Sequence, residues 1–313
     1  MTYEPNKVIY GLKHITIDQL TCGQIRQGVS MTKGICIYHG GCPDGFASAW
    51  LWWKVFGEDF EYYPGVYNQP PPPVRDRKVV LVDFSYKRPV MEQIIAEAES
   101  VEIIDHHQSA EEDLAGLKCK TLIFDKSHSA CILTAKYLFK AHNQINRPTI
   151  IEVAMLEYIE DRDLWTRKLP NNDEFYAALR SYPQEFGLWE TLTVPCLIEE
   201  GVSIRRYHNE IKKEMMKNVL RLEIGGHKVP CVNAPWLFAS EIAGDLSEGE
   251  PFAACYWDTP KGIVFSLRSK ENGLDVAKIA EYYGGGGHKH ASGFTDSQRA
   301  TMKSACDFQT PNR

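Results

Sequence analysis

The 313-residue chain has no CxxC pair, no apolar run long enough to cross a membrane and no fixed-period repeat. Each absence narrows the field. The nine cysteines (Cys22, Cys36, Cys42, Cys119, Cys131, Cys196, Cys231, Cys255 and Cys306) are dispersed and odd in number, which argues for reduced thiols in a cytosol rather than a disulfide frame. Residues 1–20 lack the basic start and long apolar run of a signal peptide. Without a membrane span either, the expectation is a soluble cytoplasmic protein. An excess of basic residues is missing too: 35 Lys and Arg stand against 41 Asp and Glu, a net charge of -6. That argues against a surface that coats long duplex DNA and leaves room for a small basic pocket. The only proline tract, Pro70 to Pro73, is too short to be a recognition element and reads as a loop.

What is present points to two folded domains. Apolar residues make up 43% and charged residues 24%, so disorder is excluded and normal cores can form at this length. Residues 1–30 show weak periodicity and are expected to be an extension of unknown role. From residue 34, strand and helix patterns alternate. GICIY (34–38), KVVLVDF (78–84), VEIID (101–105) and TLIFD (121–125) read as strands, with helices over 44–56, 89–100, 129–142 and 148–163. Such alternation predicts a parallel α/β sheet over 31–194. Residues 195–222 predict one long amphipathic helix, interrupted at Gly201, that joins the two domains. A smaller α/β domain is expected over 223–313, from strand candidates KVPCVN, PFAACYW and GIVFSLRS and a helix at 274–283.

In open parallel sheets, ligands collect beyond the carboxyl ends of the strands. Three strand ends here carry metal-competent side chains: His39, Cys42 and Asp44 after the first, Asp83 after the second, and Asp105, His106 and His107 at the third. Asp161 and Asp163 close the helix expected over 148–163. Singly, each has a bland explanation, since an Asp after a strand commonly caps the next helix. Acidic residues at a helix C-terminus oppose the helix dipole, however, which favours a functional reason for keeping them. Several carboxylates converging on one sheet edge repel one another, and divalent cations relieve that repulsion. Mixed His/Asp ligation suits Mn2+ better than Ca2+. A pair of such ions roughly 3.5–4 Å apart is the common clamp for phosphoryl transfer. Trp50, Trp52 and Trp53 read first as core and only second as a base-stacking surface. His128 is either a phosphate contact or part of a capped helix start.

In order, these segments resemble the DHH phosphoesterase superfamily. The name-giving triplet is Asp105, His106 and His107; YHGGCPDGFASA (38–49), VDF around Asp83 and EDRDLW (160–165) resemble other motifs of its catalytic domain. FSLRS (265–269) and GGGGHKHASGF (284–294) resemble the DHH-associated C-terminal domain. The resemblance covers most of residues 34–294. It implies a parallel-sheet DHH domain and a smaller C-terminal domain, joined by the long helix, with a metal site in the cleft between them. It implies His39 on one metal, Asp44, His106 and Asp161 on the other, and Asp83 bridging both. His107 would face the phosphate or protonate the leaving group, with Asp105 orienting a histidine. Asp161 is preferred to Asp163 because the family's ligand has an aromatic residue four positions on, here Trp165. In the C-terminal domain Arg268, Gly285, Gly286, Gly287 and His288 would bind the substrate, with His290 a weaker candidate.

One feature departs from the family. Its first motif commonly has two aspartates separated by one residue, whereas Cys42 stands two positions before Asp44. Cys42 is either a thiolate ligand or an inert thiol, and a sulfur ligand would favour Zn2+ or Fe2+ over Mg2+. Two divalent ions are expected, Mn2+ first, with Mg2+, Fe2+ or Zn2+ as alternatives. The function expected is a metal-dependent phosphodiesterase or exonuclease that uses a two-metal-activated water on short oligonucleotides or small nucleotides. An exopolyphosphatase or phosphomonoesterase of the same fold is the alternative, and a non-catalytic nucleotide sensor the alternative of another class. A homodimer is compatible with the sequence.

Overall fold

The computed structural model describes residues 34–141 and 149–296. The extension expected over 1–30 lies outside the described residues. These residues form two compact units, the first from 34–170 and Tyr182–Val194, the second from Asn171–Ser181 and the chain from Pro195 on. Residues 171–181 thus belong to the second unit, not to the domain expected over 31–194.

The first unit is built on five parallel strands: β1 (Gly34–His39), β2 (Phe60–Gly65), β3 (Lys78–Val82), β4 (Ser100–Asp105) and β5 (Thr121–Phe124). They lie side by side in the order β2-β1-β3-β4-β5. Ile35, Ile37, Val79, Leu81, Val101 and Ile103 share one face, because side chains alternate along a strand. They form a core with Met91 and Ile94 of α2 (Arg88–Glu97). On the other side pack α1 (Pro43–Phe56), α4 (Ala130–Ala141) and α5 (Ile150–Asp163). The short helices α3 (Gln108–Asp113) and α7 (Phe186–Trp189) complete the unit. Trp50 and Trp52 are buried, and Trp50 donates its indole N–H to Glu190 at 2.6 Å, which is the core role expected of them. The strand β2 is absent from the sequence expectation. It is an edge strand that holds Pro64, and an edge readily tolerates the missing donor.

The second unit has a six-stranded sheet in the order β10-β11-β9-β8-β7-β6. Its strands are β6 (Leu220–Ile224), β7 (His227–Asn233), β8 (Ala253–Thr259), β9 (Gly262–Arg268), β10 (Gly286–His288) and β11 (Ala291–Asp296). All neighbours are antiparallel except β7 and β8, which are joined through α9 (Trp236–Leu246). The long helix is α8 (Val194–Met216), shorter than the 195–222 expected, because β6 already starts at Leu220. β6 and β7 form a hairpin whose turn residues Gly225 and Gly226 both have positive φ, the requirement of a tight two-residue turn. Gly201 does not break α8. A Cβ there would lie 1.9 Å from the Glu174 carbonyl oxygen in α6 (Asn172–Leu179), so the glycine lets the two helices touch. Among the described residues no helix is long and apolar enough to cross a membrane.

Candidate metal centre

In the first unit β1 is flanked by β2 and β3, so the chain leaves β1 to one side and returns on the other. The carboxyl ends of β1 and β3 therefore border the point where the strand order reverses, the preferred ligand crevice of open α/β sheets. His39 ends β1 and Asp83 follows β3 directly. Asp83 is a non-glycine residue in the left-handed region (φ 56°), and its N–H bonds the Ile104 carbonyl at 3.0 Å. Such a conformation is costly for most side chains and recurs at functional sites.

The side chains converge as three overlapping groups: His39, Cys42 and Asp83; Asp83, His106 and His107; and Asp44, His106 and Asp163. Within each group the ligand atoms all lie within 4.8 Å of one another. Asp83 belongs to two groups and His106 to two. His106 Nε2 is 3.2 Å from Asp83 Oδ1, 3.5 Å from Asp163 Oδ2 and 3.9 Å from Asp44 Oδ2. His39 Nδ1 is 3.4 Å from Asp83 Oδ2. Asp44, in the first turn of α1, also meets the start of α4. Its Oδ2 accepts the Ala130 N–H at 2.7 Å and its Oδ1 the Cys131 N–H at 2.9 Å. A helix N-terminus favours a carboxylate there.

The charges respond to this crowding. Burial, then Asp83, pushes the Asp44 carboxyl up to about 6. Asp163 is exposed as a residue, but desolvation on the side of its carboxylate that faces the cluster, then Asp44 and Asp83, pushes it well above its ordinary value. Burial also acts on Asp83, but the imidazoles of His106 and His39 outweigh it and hold that carboxyl well below its ordinary value. For His106, burial is outweighed by Asp83, Asp163 and Asp44, and its pKa rises to about 9. Burial and the three carboxylates of Asp83, Asp163 and Asp44 push the Cys42 thiol up.

Divalent cations fit this donor set. Both oxygens of Asp83 and His39 Nδ1 are buried and have no hydrogen-bond partner among the described residues, although imidazole and carboxylate lie close together. Ordinary buried polar atoms are hydrogen-bonded. Ligand atoms facing a common point, rather than one another, account for the exception. Asp83 points one oxygen toward each histidine, as a bridging carboxylate would.

The structure brings His39, Cys42, Asp44, Asp83, His106 and His107 together, but not Asp161. Two residues along a helix are about 200° apart around its axis, so Asp161 and Asp163 cannot share a face. The carboxylate of Asp161 accepts hydrogen bonds from Thr166 Oγ1 (2.6 Å), Lys168 N (2.7 Å) and Leu169 N (3.3 Å), closing the turn after α5. Asp163 is the residue beside His106, which corrects the choice of Asp161. The spacing to Trp165 misled because that residue has left the helix, with φ 58°.

Asp105 is fully buried and held by Ser85 Oγ at 2.7 Å and by the N–H groups of His106 and His107. Its Oδ1 meets His107 Nδ1 at 2.7 Å. For His107, burial is outweighed by this contact and its pKa rises. His128 meets Glu160 at 3.3 Å and Lys136 at 2.6 Å; the helix start beside it is capped by Glu160, which accepts the Ser129 N–H, and by Asp44.

In the second unit Arg268 donates to Ser266 Oγ, the Leu267 carbonyl and Ser240 Oγ. Close strand packing explains two of the glycines. A Cβ on Gly285 would lie 2.1 Å from the Gly293 carbonyl oxygen and one on Gly287 2.6 Å from that of Ala291. Gly286 has open space, and His288 is exposed on β10. His290 is engaged by Ser269, its ring at 2.9 Å.

No family model matches the chain. A curated relative, the uncharacterized protein R106 of Acanthamoeba polyphaga mimivirus, is 29% identical over 293 residues, spanning 84% of this chain and 67% of that protein. Among solved structures, RecJ from Thermus thermophilus in complex with Mn2+ matches with a TM-score of 0.53 at 14% identity. That match covers 87% of this chain and 51% of RecJ. The pGpG-specific phosphodiesterase PggH from Vibrio cholerae matches with a TM-score of 0.50 at 13% identity, over 87% of this chain and 96% of that one. With the motifs in order along the chain and their side chains gathered at one sheet edge, the chain has the fold of the DHH phosphoesterases.

Proposed function

We propose that this chain is a divalent-metal-dependent phosphoesterase, and within that class a phosphodiesterase of short oligonucleotides or small nucleotides. The observation that carries the reading is Asp83, whose two buried, unpaired oxygens lie between the histidines of two ligand groups. His39, Cys42 and Asp83 would hold one divalent ion; Asp44, His106 and Asp163, with Asp83, would hold a second. Mn2+ is the first candidate, supported by the ion in RecJ. Bound ions would supply positive charge that acidifies a water and offsets charge on the phosphoryl oxygens.

The protein groups do the rest. Asp105, immobilised by three hydrogen bonds, holds His107 Nδ1 through a fourth and so fixes the ring and its tautomer. The proton for the leaving oxygen is carried at Nε2. Arg268 and the glycine strand of the second unit are the proposed substrate contacts, with Gly287 and His288 the exposed members of that strand. The preference for diesters rests on PggH, and that for short substrates on the acidic net charge, which disfavours a long duplex.

A hydrolysis panel with Mn2+ tests this: a dinucleotide, a longer single strand, a cyclic dinucleotide, polyphosphate and a phosphomonoester, with Asp83→Asn as the blank. Cleavage of the nucleotide diesters, lost in the blank, is expected. Cleavage of polyphosphate or the monoester alone overturns the diester assignment. A chain that binds no metal and cleaves nothing is a binding module instead.

A further inference from the structure

One aromatic residue beside the metal centre takes no part in holding the ions. Tyr67 follows β2, at the same sheet edge as His39 and Asp83, since His39 pairs with Gly65. Its ring stands edge-on to the His39 imidazole, with centroids 5.3 Å apart, and leans on Phe84 at 4.8 Å. The residue is nevertheless 47% exposed. Its hydroxyl lies on the more enclosed side: burial first, then Asp105, Asp83 and Cys42, pushes its pKa up. Among the described residues no group hydrogen-bonds that hydroxyl.

The local chain fixes Tyr67 in place. Gly40 N–H bonds the Gly65 carbonyl at 2.9 Å, and Gly65 must be glycine because a Cβ would sit 2.8 Å from the Phe84 ring. The next four residues form a turn, closed by Gln69 N–H to the Val66 carbonyl at 3.2 Å, with Asn68 at φ 65°. Pro70 to Pro73 follow at once, and their fixed φ limits how far the turn can relax. The Tyr67 ring rests on His39 and Phe84, half open, with a donor that the surrounding carboxylates do not take up.

We propose that Tyr67 is a substrate-binding residue whose hydroxyl donates a hydrogen bond to a phosphoryl oxygen of the ligand held at the metal centre. The inference rests on the phosphoesterase reading of the same site. In a pocket lined by carboxylates an anion needs donors, and a phenol supplies one without another charge. A hydrogen bond to a charged oxygen is worth about 10-fold or more in affinity.

The test compares manganese-loaded wild type with Tyr67→Phe, which keeps the ring on His39 and removes only the hydroxyl. Metal content is measured first, then adenosine 5′-monophosphate is titrated into each by calorimetry. Equal metal content and binding weakened about 10-fold in the variant are expected. Equal affinity overturns the proposal, as does a wild type that does not bind the nucleotide at millimolar concentration. Loss of metal from the variant also overturns it, because the hydroxyl then serves the ions. A wild type that hydrolyses diesters alongside an unaffected Tyr67→Phe sinks the tyrosine but leaves the proposed function standing. Tyrosine-dependent binding without hydrolysis of any substrate does the reverse.

Discussion

At the scale of single residues, Asp161 and Asp163 separate structure from chemistry within one turn of helix. Asp163→Asn should lose metal while the fold is kept. Asp161→Ala should keep metal but lose about 1–3 kcal/mol of stability, because backbone donors of the 166–169 turn go unpaired. Metal analysis and thermal melts distinguish the two, and the opposite pattern would reinstate Asp161 as the ligand. His107→Ala should lower turnover roughly 10²–10⁴-fold with metal retained, the range of a lost general acid; unchanged turnover removes it from that role. The cation-free protein also carries a pH signature in His106. Its folded pKa, about 9, is raised above the ordinary 6.5, so its stabilising contribution is complete below 6.5 and lost as pH rises through 9. A cation must displace that proton. Metal binding at pH 7 is therefore expected to release protons and to strengthen with pH up to about 9, read by calorimetry in two buffers of different ionisation enthalpy. No proton release would show that His106 is not a ligand. Which aspartates matter was largely legible in the sequence, because strand ends mark them. The phase of α5 was not, since both Asp161 and Asp163 fall in its last turn and only the turn beyond decides between them.

At the scale of elements, the buried parallel strands were legible as continuous apolar runs. The strands missed have ordinary physical reasons. β2 contains a proline and is only partly buried, so its pattern is weak. β6 is mostly exposed and follows α8 closely, so the helical expectation ran on into it. β10 does not announce itself, since glycines without side chains carry no periodicity, and β11 opens on the small residues Ala291, Ser292 and Gly293, which give only a weak strand pattern. Gly201 is the reverse case, a residue that suggests a break and marks a contact. Gly201→Ala should cost at least about 1–3 kcal/mol through overpacking against the α6 backbone, measured by urea unfolding. Arg205 bonds Glu241 at 3.0 Å and Asp173 at 3.4 Å, which ties α8 to α9 and to α6 within the same unit. A Gly201→Ala chain as stable as wild type would mean that α8 and α6 do not rest on each other in solution.

At the scale of the molecule, the two sheets differ in kind: one parallel with its candidate ligands at the carboxyl edge, one largely antiparallel. Cation binding should show itself in the whole chain as well as at the site. An ion that binds only the folded form adds about 2.7 kcal/mol when present at a hundred times its Kd, so the melting temperature should climb with added Mn2+. Asp83→Asn should flatten that rise, and a rise that survives in the variant would place the ion elsewhere. The proposed ligands come from β1, α1, the ends of β3 and β4, and the last turn of α5, a span of chain from His39 to Asp163. No fragment or intermediate lacking one of these pieces can assemble the full set. In a cell, ion occupancy would then report the completeness of folding. Chains starved of metal would lose that margin and reach proteases sooner, making abundance itself follow metal supply.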